Sequence, residues 1–296
     1  MGEGAQAIIN GTPASAYPES VLVDITQNGQ LSMGCSGALI APRVVLTAAH
    51  CVADGDGWNI TAPYASGQKA HGSSSATYDW TSSNDQVSPD EHDIGLVFLD
   101  SPITLSTYPS IASAVLPAQS QIVTVGRVKG GQLSKTALYQ SAAGKVSDGA
   151  NYYGFKYDYA APMVIEHGDS GGPSFTLNTH TIVAVNSTGD SSKMLIARTD
   201  LLSSWIAQQI AAHGGGGSTD GGQGGSDPGT GGSDPGTGGG GEGGSDGEGG
   251  SDPGGNGGGQ PGGWPPNPGG PGGWPPGWPP VQHCVWVPWM WSYYCW

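Results

Sequence analysis

Basic residues are scarce in this chain, and none follows Gly214. The 296 residues include nine Lys and Arg against 24 Asp and Glu, for a formal net charge of −15. With no basic cluster there is nothing to grip a phosphate backbone, so nucleic acid is excluded as a partner. Long apolar runs are also missing. No stretch of about twenty apolar residues reads as a membrane-spanning helix. Residues 1–7 hold no apolar segment of the kind that directs secretion, and we read them as the remnant of a leader or pro-segment. Clustered metal ligands are absent too. Asp54-Gly55-Asp56-Gly57 lacks the further spaced carboxylates of a calcium loop and reads as a turn. No metal and no cofactor are expected. Cysteine is limited to four residues, Cys35, Cys51, Cys284 and Cys295.

The chemistry gathers at Gly168-Asp169-Ser170-Gly171-Gly172-Pro173. A serine hydroxyl is a weak nucleophile at neutral pH. It needs a base to take its proton and N–H donors for the oxyanion that forms. Gly168 has no Cβ, so its N–H can lie close to a substrate carbonyl, and the N–H of Ser170 can join it. Gly171 and Gly172 permit a tight turn that lifts the hydroxyl out of the backbone. Two other stretches complete a set. Thr47-Ala48-Ala49-His50-Cys51 offers a histidine base, and His92-Asp93-Ile94-Gly95-Leu96-Val97 offers a carboxylate leading into an apolar run.

With His50, Asp93 and Ser170 in that order, the sequence resembles the trypsin/chymotrypsin family of serine proteases over residues 8–212. The resemblance implies an all-β fold of two six-stranded antiparallel barrels with a C-terminal helix, and a triad in the cleft between them. It implies a Cys35–Cys51 disulfide, a loop closure worth on the order of 3 kcal/mol in the chain-entropy model. A structural disulfide in turn points to an oxidising, secreted or cell-surface location. It also implies polypeptide substrates. Ile8-Ile9-Asn10-Gly11 resembles the family's mature N-terminus, so cleavage before Ile8 would free an α-ammonium to pair with Asp169, as in a zymogen.

The pocket is read by counting along the family's pattern. Six residues before Ser170 stands Val164, with Ile165 beside it, so the floor carries no charge. Two wall positions count to Asn186 and Met194, whose side chains would shorten the cavity and favour alanine or valine on the acyl side. The same count puts Ala184 where the family places a serine beside the triad aspartate, and Val185 where it places a tryptophan. That would remove one hydrogen bond to Asp93.

Elsewhere, short β-branched segments between turn residues read as strands at residues 21–26, 37–40, 44–47, 94–99, 181–185 and 195–198, and residues 122–128, 136–146, 152–157 and 163–166 as further strands or loop segments. Residues 67–89, rich in Ser and Asn, read as surface loop. Residues 201–210 read as a helix. Leu202, Trp205, Ile206 and Ile210 lie on one face, Asp200 is the expected N-cap, and Gly214 ends the helix.

After Gly214 the composition changes. Residues 214–263 form a Gly/Ser/Asp/Pro-rich linker in which one seven-residue unit occurs twice in tandem. Residues 264–296 are rich in Trp and Pro, with Pro-Gly-Gly-Trp-Pro-Pro repeated at 261–266 and 271–276. If Cys284 pairs with Cys295, a hairpin forms with Trp286 facing Tyr293. So many aromatics in so small a unit point to a partner: glycan, cell envelope or a membrane interface. Two functions therefore stand side by side. One is a secreted serine endopeptidase, residues 8–213. The other is a weak or inert protease fold that adheres to surfaces through its tail.

Overall fold

A computed structural model describes residue 8, residues 11–53, 55–81, 87–152 and 154–214, and the backbone of residues 284–287 and 292–295. The chain divides into two units, residues 1–220 and 221–296. In the first half of the larger unit run β1 (Thr12–Pro13), β2 (Ser20–Gln27), β3 (Gln30–Ala41), β4 (Val44–Thr47), β5 (Gly57–Ala62), β6 (Gln68–Thr77) and β7 (Gly95–Leu99). Strands β2 to β7 close into an antiparallel barrel in the order β2-β3-β4-β7-β6-β5. The apolar runs Val21-Leu22-Val23 and Val44-Val45-Leu46 are buried on both faces, because one face fills the barrel and the other packs against the second half.

The second half carries β8 (Ser110–Ile111), β9 (Gln121–Gly126), β10 (Val128–Lys129), β11 (Gln132–Leu133), β12 (Tyr139–Gln140), β13 (Gly144–Lys145), β14 (Ser147–Asp148), β15 (Asp158–Pro162), β16 (Pro173–Thr176), β17 (Thr181–Gly189) and β18 (Lys193–Arg198). Ten strands form one sheet whose main path is β1-β12-β9-β16-β17-β18-β15-β14, with β13 on β9 and β8 on β17. Strand β1, from the start of the chain, thus belongs to the second half's sheet. A core of Tyr17, Leu22, Leu46, Phe98, Phe175 and Val185 fills the seam between the halves.

Residues 67–89 depart from the expected surface loop. Strand β6 occupies ten of them, paired on one side with β5 and on the other with β7. Its sequence is polar because much of it faces solvent, and two flanking ladders supply what strand propensity does not. Residues 152, 154–157 and 163–166 are turn and irregular chain, the loop alternative of the sequence reading, and the strand lies between them at β15.

Helix α1 (Ser203–His213) follows a single 3₁₀ turn and ends at Gly214. Leu202 and Ile206 are buried in the seam core, and Trp205 and Ile210 pack on it. Asp200 is not the cap. Its carboxylate is turned to Arg198 and Tyr159, accepting from Arg198 Nη2 at 2.7 Å and Nε at 3.0 Å, and the helix start has no side-chain cap. In the second unit, β19 (Cys284–Val287) pairs antiparallel with β20 (Ser292–Cys295). Cys284 stands opposite Cys295, and Trp286 opposite Tyr293. The linker and the Trp-Pro repeats lie outside the described residues.

Candidate active site

His50 sits in the turn that leaves β4, where Cys51 is tied to Cys35 of β3 by a disulfide. The Cys35–Cys51 bond anchors the base to the barrel wall. Among the described residues, Cys35, His50 and Cys51 group closely enough to suggest a metal, but both sulfurs are committed to the disulfide and offer no thiolate. His50 is 7% exposed and Asp93, entering β7, only 2%. Nδ1 of His50 donates to Asp93 Oδ2 at 2.8 Å, and its backbone N–H donates to Oδ1 at 3.0 Å. The Nδ1 bond makes Nε2 the ring nitrogen that carries the lone pair. Trp80 stands over the imidazole with ring centroids 6.4 Å apart.

A third donor completes the Asp93 shell. Ser187 Oγ, buried in β17, donates to Asp93 Oδ2 at 2.7 Å. The serine expected at this place, and judged lost at Ala184, is therefore present three residues further on. Strand register explains the offset. Val185 lies opposite Pro173 in the ladder, and the register shifts both between Ser174 and Phe175 and between Asn186 and Thr188. Spacing counted along the chain does not carry across those irregularities. Burial pushes the Asp93 carboxyl up, but the charge and hydrogen bonds of His50 and the Ser187 hydroxyl outweigh it. Together they hold Asp93 below the usual carboxylate range.

Ser170 is brought to the barrel by its backbone. Its carbonyl accepts from Ser36 N–H at 2.8 Å. Gly171, at φ 76°, is pressed so closely on Thr47 and Ala48 that an added Cβ would fall 2.0 Å from Thr47 Oγ1. Only glycine can follow the nucleophile here. Gly168 also lies in the left-handed region, at φ 108°, with Leu133 against it. The three motifs, far apart in sequence, thus meet where the two halves touch.

Asp169 is fully buried, and accepts from Val128 N–H at 2.8 Å and Glu166 N–H at 2.9 Å. Among the described residues no cation lies against it. Burial dominates and pushes its carboxyl up to about 7, despite these N–H donors. Ile8 is buried in the core of the second half beside Ile165 and Met194.

The pocket residues separate. Val164 and Met194 line a cavity of about 110 Å³ with Ile122, Thr124, Ser141 and Pro162. Ile165 is absorbed into the core. Asn186 is not a wall. It is fully buried, and its Nδ2 donates to Val125 O and Asp169 O, both at 2.9 Å. Its side chain braces the nucleophile loop from behind. Three residues further on, Gly189 stands directly opposite Met194 in the β17–β18 ladder.

One acid was not anticipated. Asp158, at the start of β15, is 3% exposed, and its Oδ1 has no hydrogen-bond partner. Burial first, and then the charge of Asp93, push its carboxyl up to about 8; Arg198 offsets this only in part. Near neutral pH Asp158 is therefore a neutral acid beside the catalytic-type carboxylate.

A closed antiparallel barrel joined to a second β sheet, with a buried His–Asp pair and a largely buried Gly-Asp-Ser-Gly turn in which Ser170 is half-buried, defines a serine protease fold. The trypsin family model matches residues 8–206, and the chain belongs to that family. Solved structures agree on the fold. An inactivated protease paralogue of the scabies mite superposes with a TM-score of 0.57 at 20% identity, covering 71% of this chain and all of that one. Neuropsin, a serine protease expressed in the limbic system of mouse brain, gives 0.55 at 20% identity, covering 68% and 99%. Human heparin binding protein gives 0.55 at 19%, covering 71% and 99%. Inactive serine protease 35 of Bos taurus matches at 69% identity over 29 residues, which is 10% of this chain and 7% of that protein.

Proposed function

We propose that the chain is a secreted serine endopeptidase. Ser170 Oγ attacks the peptide carbonyl while His50 Nε2 takes its proton and later returns it to the leaving amine. Asp93 fixes the imidazole tautomer and stabilises the imidazolium. The N–H groups of Gly168 and Ser170 receive the oxyanion. The observation that carries this reading is the complete shell of Asp93. Two bonds from His50 and one from Ser187 keep a buried carboxylate ionised and fix the imidazole through its Nδ1, which is what a general base at this place requires. The Cys35–Cys51 disulfide supports an oxidising compartment. Among the described residues, no helix is long and apolar enough to cross a membrane.

Specificity follows from an uncharged floor. Val164 and Met194 offer no partner to Lys or Arg, and apolar side chains at these positions favour alanine or valine on the acyl side of the cut. Activation follows from Asp169. Cleavage of the Ala7–Ile8 bond would supply the cation this buried acid lacks. Because Ala7 suits the proposed pocket, the enzyme itself is a candidate for that cut. Profiling a peptide library with the cleaved protein, beside its Ser170→Ala variant, tests the reading. Hydrolysis after small aliphatic residues by the first alone is expected. Preference for Arg, Lys or Phe would overturn the pocket, and equal rates in both would overturn the nucleophile.

A second reading, an inert fold that adheres through its tail, is favoured by the tail's composition. Residues 284–296 contain four Trp and two Tyr. The Cys284–Cys295 register is the one a disulfide needs to hold so short a hairpin. The two readings are compatible if the tail retains an active enzyme at a glycan, envelope or membrane interface.

A further inference from the structure

Gly168 must hold one conformation for its N–H to serve an oxyanion, yet glycine has little preference of its own. Something outside the residue has to choose φ 108°. The structure shows what does so. Ser36, fully buried in β3, donates from Oγ to Gly168 O at 2.9 Å. Its N–H donates to Ser170 O at 2.8 Å, and its own carbonyl accepts from Thr47 Oγ1 at 2.8 Å. One residue of the first barrel therefore grips the carbonyls on both sides of Asp169.

Ser36 is itself backed by a buried cation. Arg127, just beyond β9 in the second half, is fully buried, and its Nη1 crosses to Asp24 Oδ1 at 2.6 Å and to Cys35 O at 3.1 Å. Its Nε donates to Ser134 O at 2.9 Å, which pins the β10–β11 hairpin. That hairpin presses Leu133 on Gly168 and gives the Val128 N–H to Asp169. The contacts form a closed circuit: Arg127 to Cys35, Ser36 to Gly168 and Ser170, Asp169 to Val128, and back to Arg127.

We propose that Ser36 is a positioning residue for the oxyanion hole. Its hydroxyl holds the Gly168 carbonyl against the first barrel, with Arg127 fixing the chain behind it, and so turns the Gly168 N–H toward the substrate. Ser36 touches no reacting atom. It acts by confining a glycine in the chosen half of its conformational space, and the N–H pre-set in this way needs no reorganisation as charge develops. The inference rests on reading Gly168 as an oxyanion donor.

The test compares Ser36→Ala with the wild type, both cleaved before Ile8. A lost positioning bond should lower kcat about tenfold and leave KM within about twofold. Affinity for a peptidyl boronic acid ending in alanine should fall by about the same factor, while affinity for the matching product peptide should hold. A drop in melting temperature with kcat and boronate affinity unchanged would overturn the proposal, since that is what a purely structural hydroxyl gives. Arg127→Met should repeat the kcat effect. If Arg127→Met does not fold, the Ser36→Ala result decides. An inert wild type would defeat the protease reading without deciding this one. In that case the ¹H–¹⁵N amide signal of Gly168 gives the answer: a shifted or broadened signal in Ser36→Ala supports the positioning role, and an unchanged one overturns it.

Discussion

Asp93 and Asp158 are almost equally buried, one at the edge of the first barrel and the other in the second half, yet their surroundings treat them in opposite ways. Asp93 receives two hydrogen bonds from His50 and one from Ser187, and is held below the usual carboxylate range. Asp158 has an Oδ1 that nothing meets, and is pushed up to about 8. In the first half the acid is met by three donors and stays ionised. In the second half burial outweighs what faces the acids, at Asp158 and again at Asp169. Burial alone therefore says little about a carboxylate; the donors aimed at it decide whether it is charged.

The comparison breaks most visibly at Asp93. Asp93→Asn keeps the shape but lets His50 take the wrong tautomer. The kcat for a small peptide substrate should fall about 10⁴-fold, as in related triads, with melting temperature little changed. A loss of less than about tenfold would mean that Asp93 is no different in kind from Asp158.

At Asp158 the effect is on stability, and its sign follows from linkage. In the unfolded chain this acid ionises near the ordinary value of about 4. In the folded protein it keeps its proton up to about 8. Between those values the native state binds the extra proton, so its contribution to stability falls as pH rises through the window. Asp158→Asn removes that dependence. Urea melts at about pH 5 and about pH 8.5 should show the variant gaining on the wild type at the higher pH, by on the order of 4 kcal/mol. Parallel pH slopes would mean that Asp158 is answered by a partner after all.

The His50, Asp93 and Ser170 motifs could be read from the sequence because each residue sits in a short stretch whose neighbours serve the local turn: Ala48-Ala49 before His50, Gly171 after Ser170. The Cys35–Cys51 pair was legible from the same resemblance, and the amphipathic face of α1 from its period. The misreadings concern tertiary register. Spacing along the chain points to Ala184 and misses Ser187 because β16 and β17 pair with a shifted register, and it places Asn186 at a pocket wall although its amide donates to Val125 O and Asp169 O. Strand β6 was hidden by its polar sequence. Asp158 gave no signal, since nothing local distinguishes a buried aspartate at a strand start from an exposed one. Ser36 and Arg127 were equally silent, because their partners lie about a hundred residues or more away.

A smaller sharpening comes from Ser187→Ala, which removes one charge-assisted bond from Asp93. A reduction in kcat/KM of about tenfold is expected, steepest on the acid side, where Asp93 must stay ionised. No change would reassign Ser187 to packing. The smallest effect concerns the tail. Deleting residues 214–296 should leave hydrolysis of short peptides nearly unchanged while reducing retention on cell-envelope or glycan surfaces. Failure of residues 1–213 to fold would show that the domain boundary is misplaced.

The central claim is that Ser170 is a working nucleophile with His50 as its base. The most direct measurement is the rate at which a fluorophosphonate probe labels protein cleaved before Ile8, followed from about pH 4 to about pH 8. Labelling is expected at Ser170 and not in Ser170→Ala, at a rate that falls toward acid pH as a histidine base is protonated. Absence of labelling, or a full rate retained at about pH 4, would contradict it.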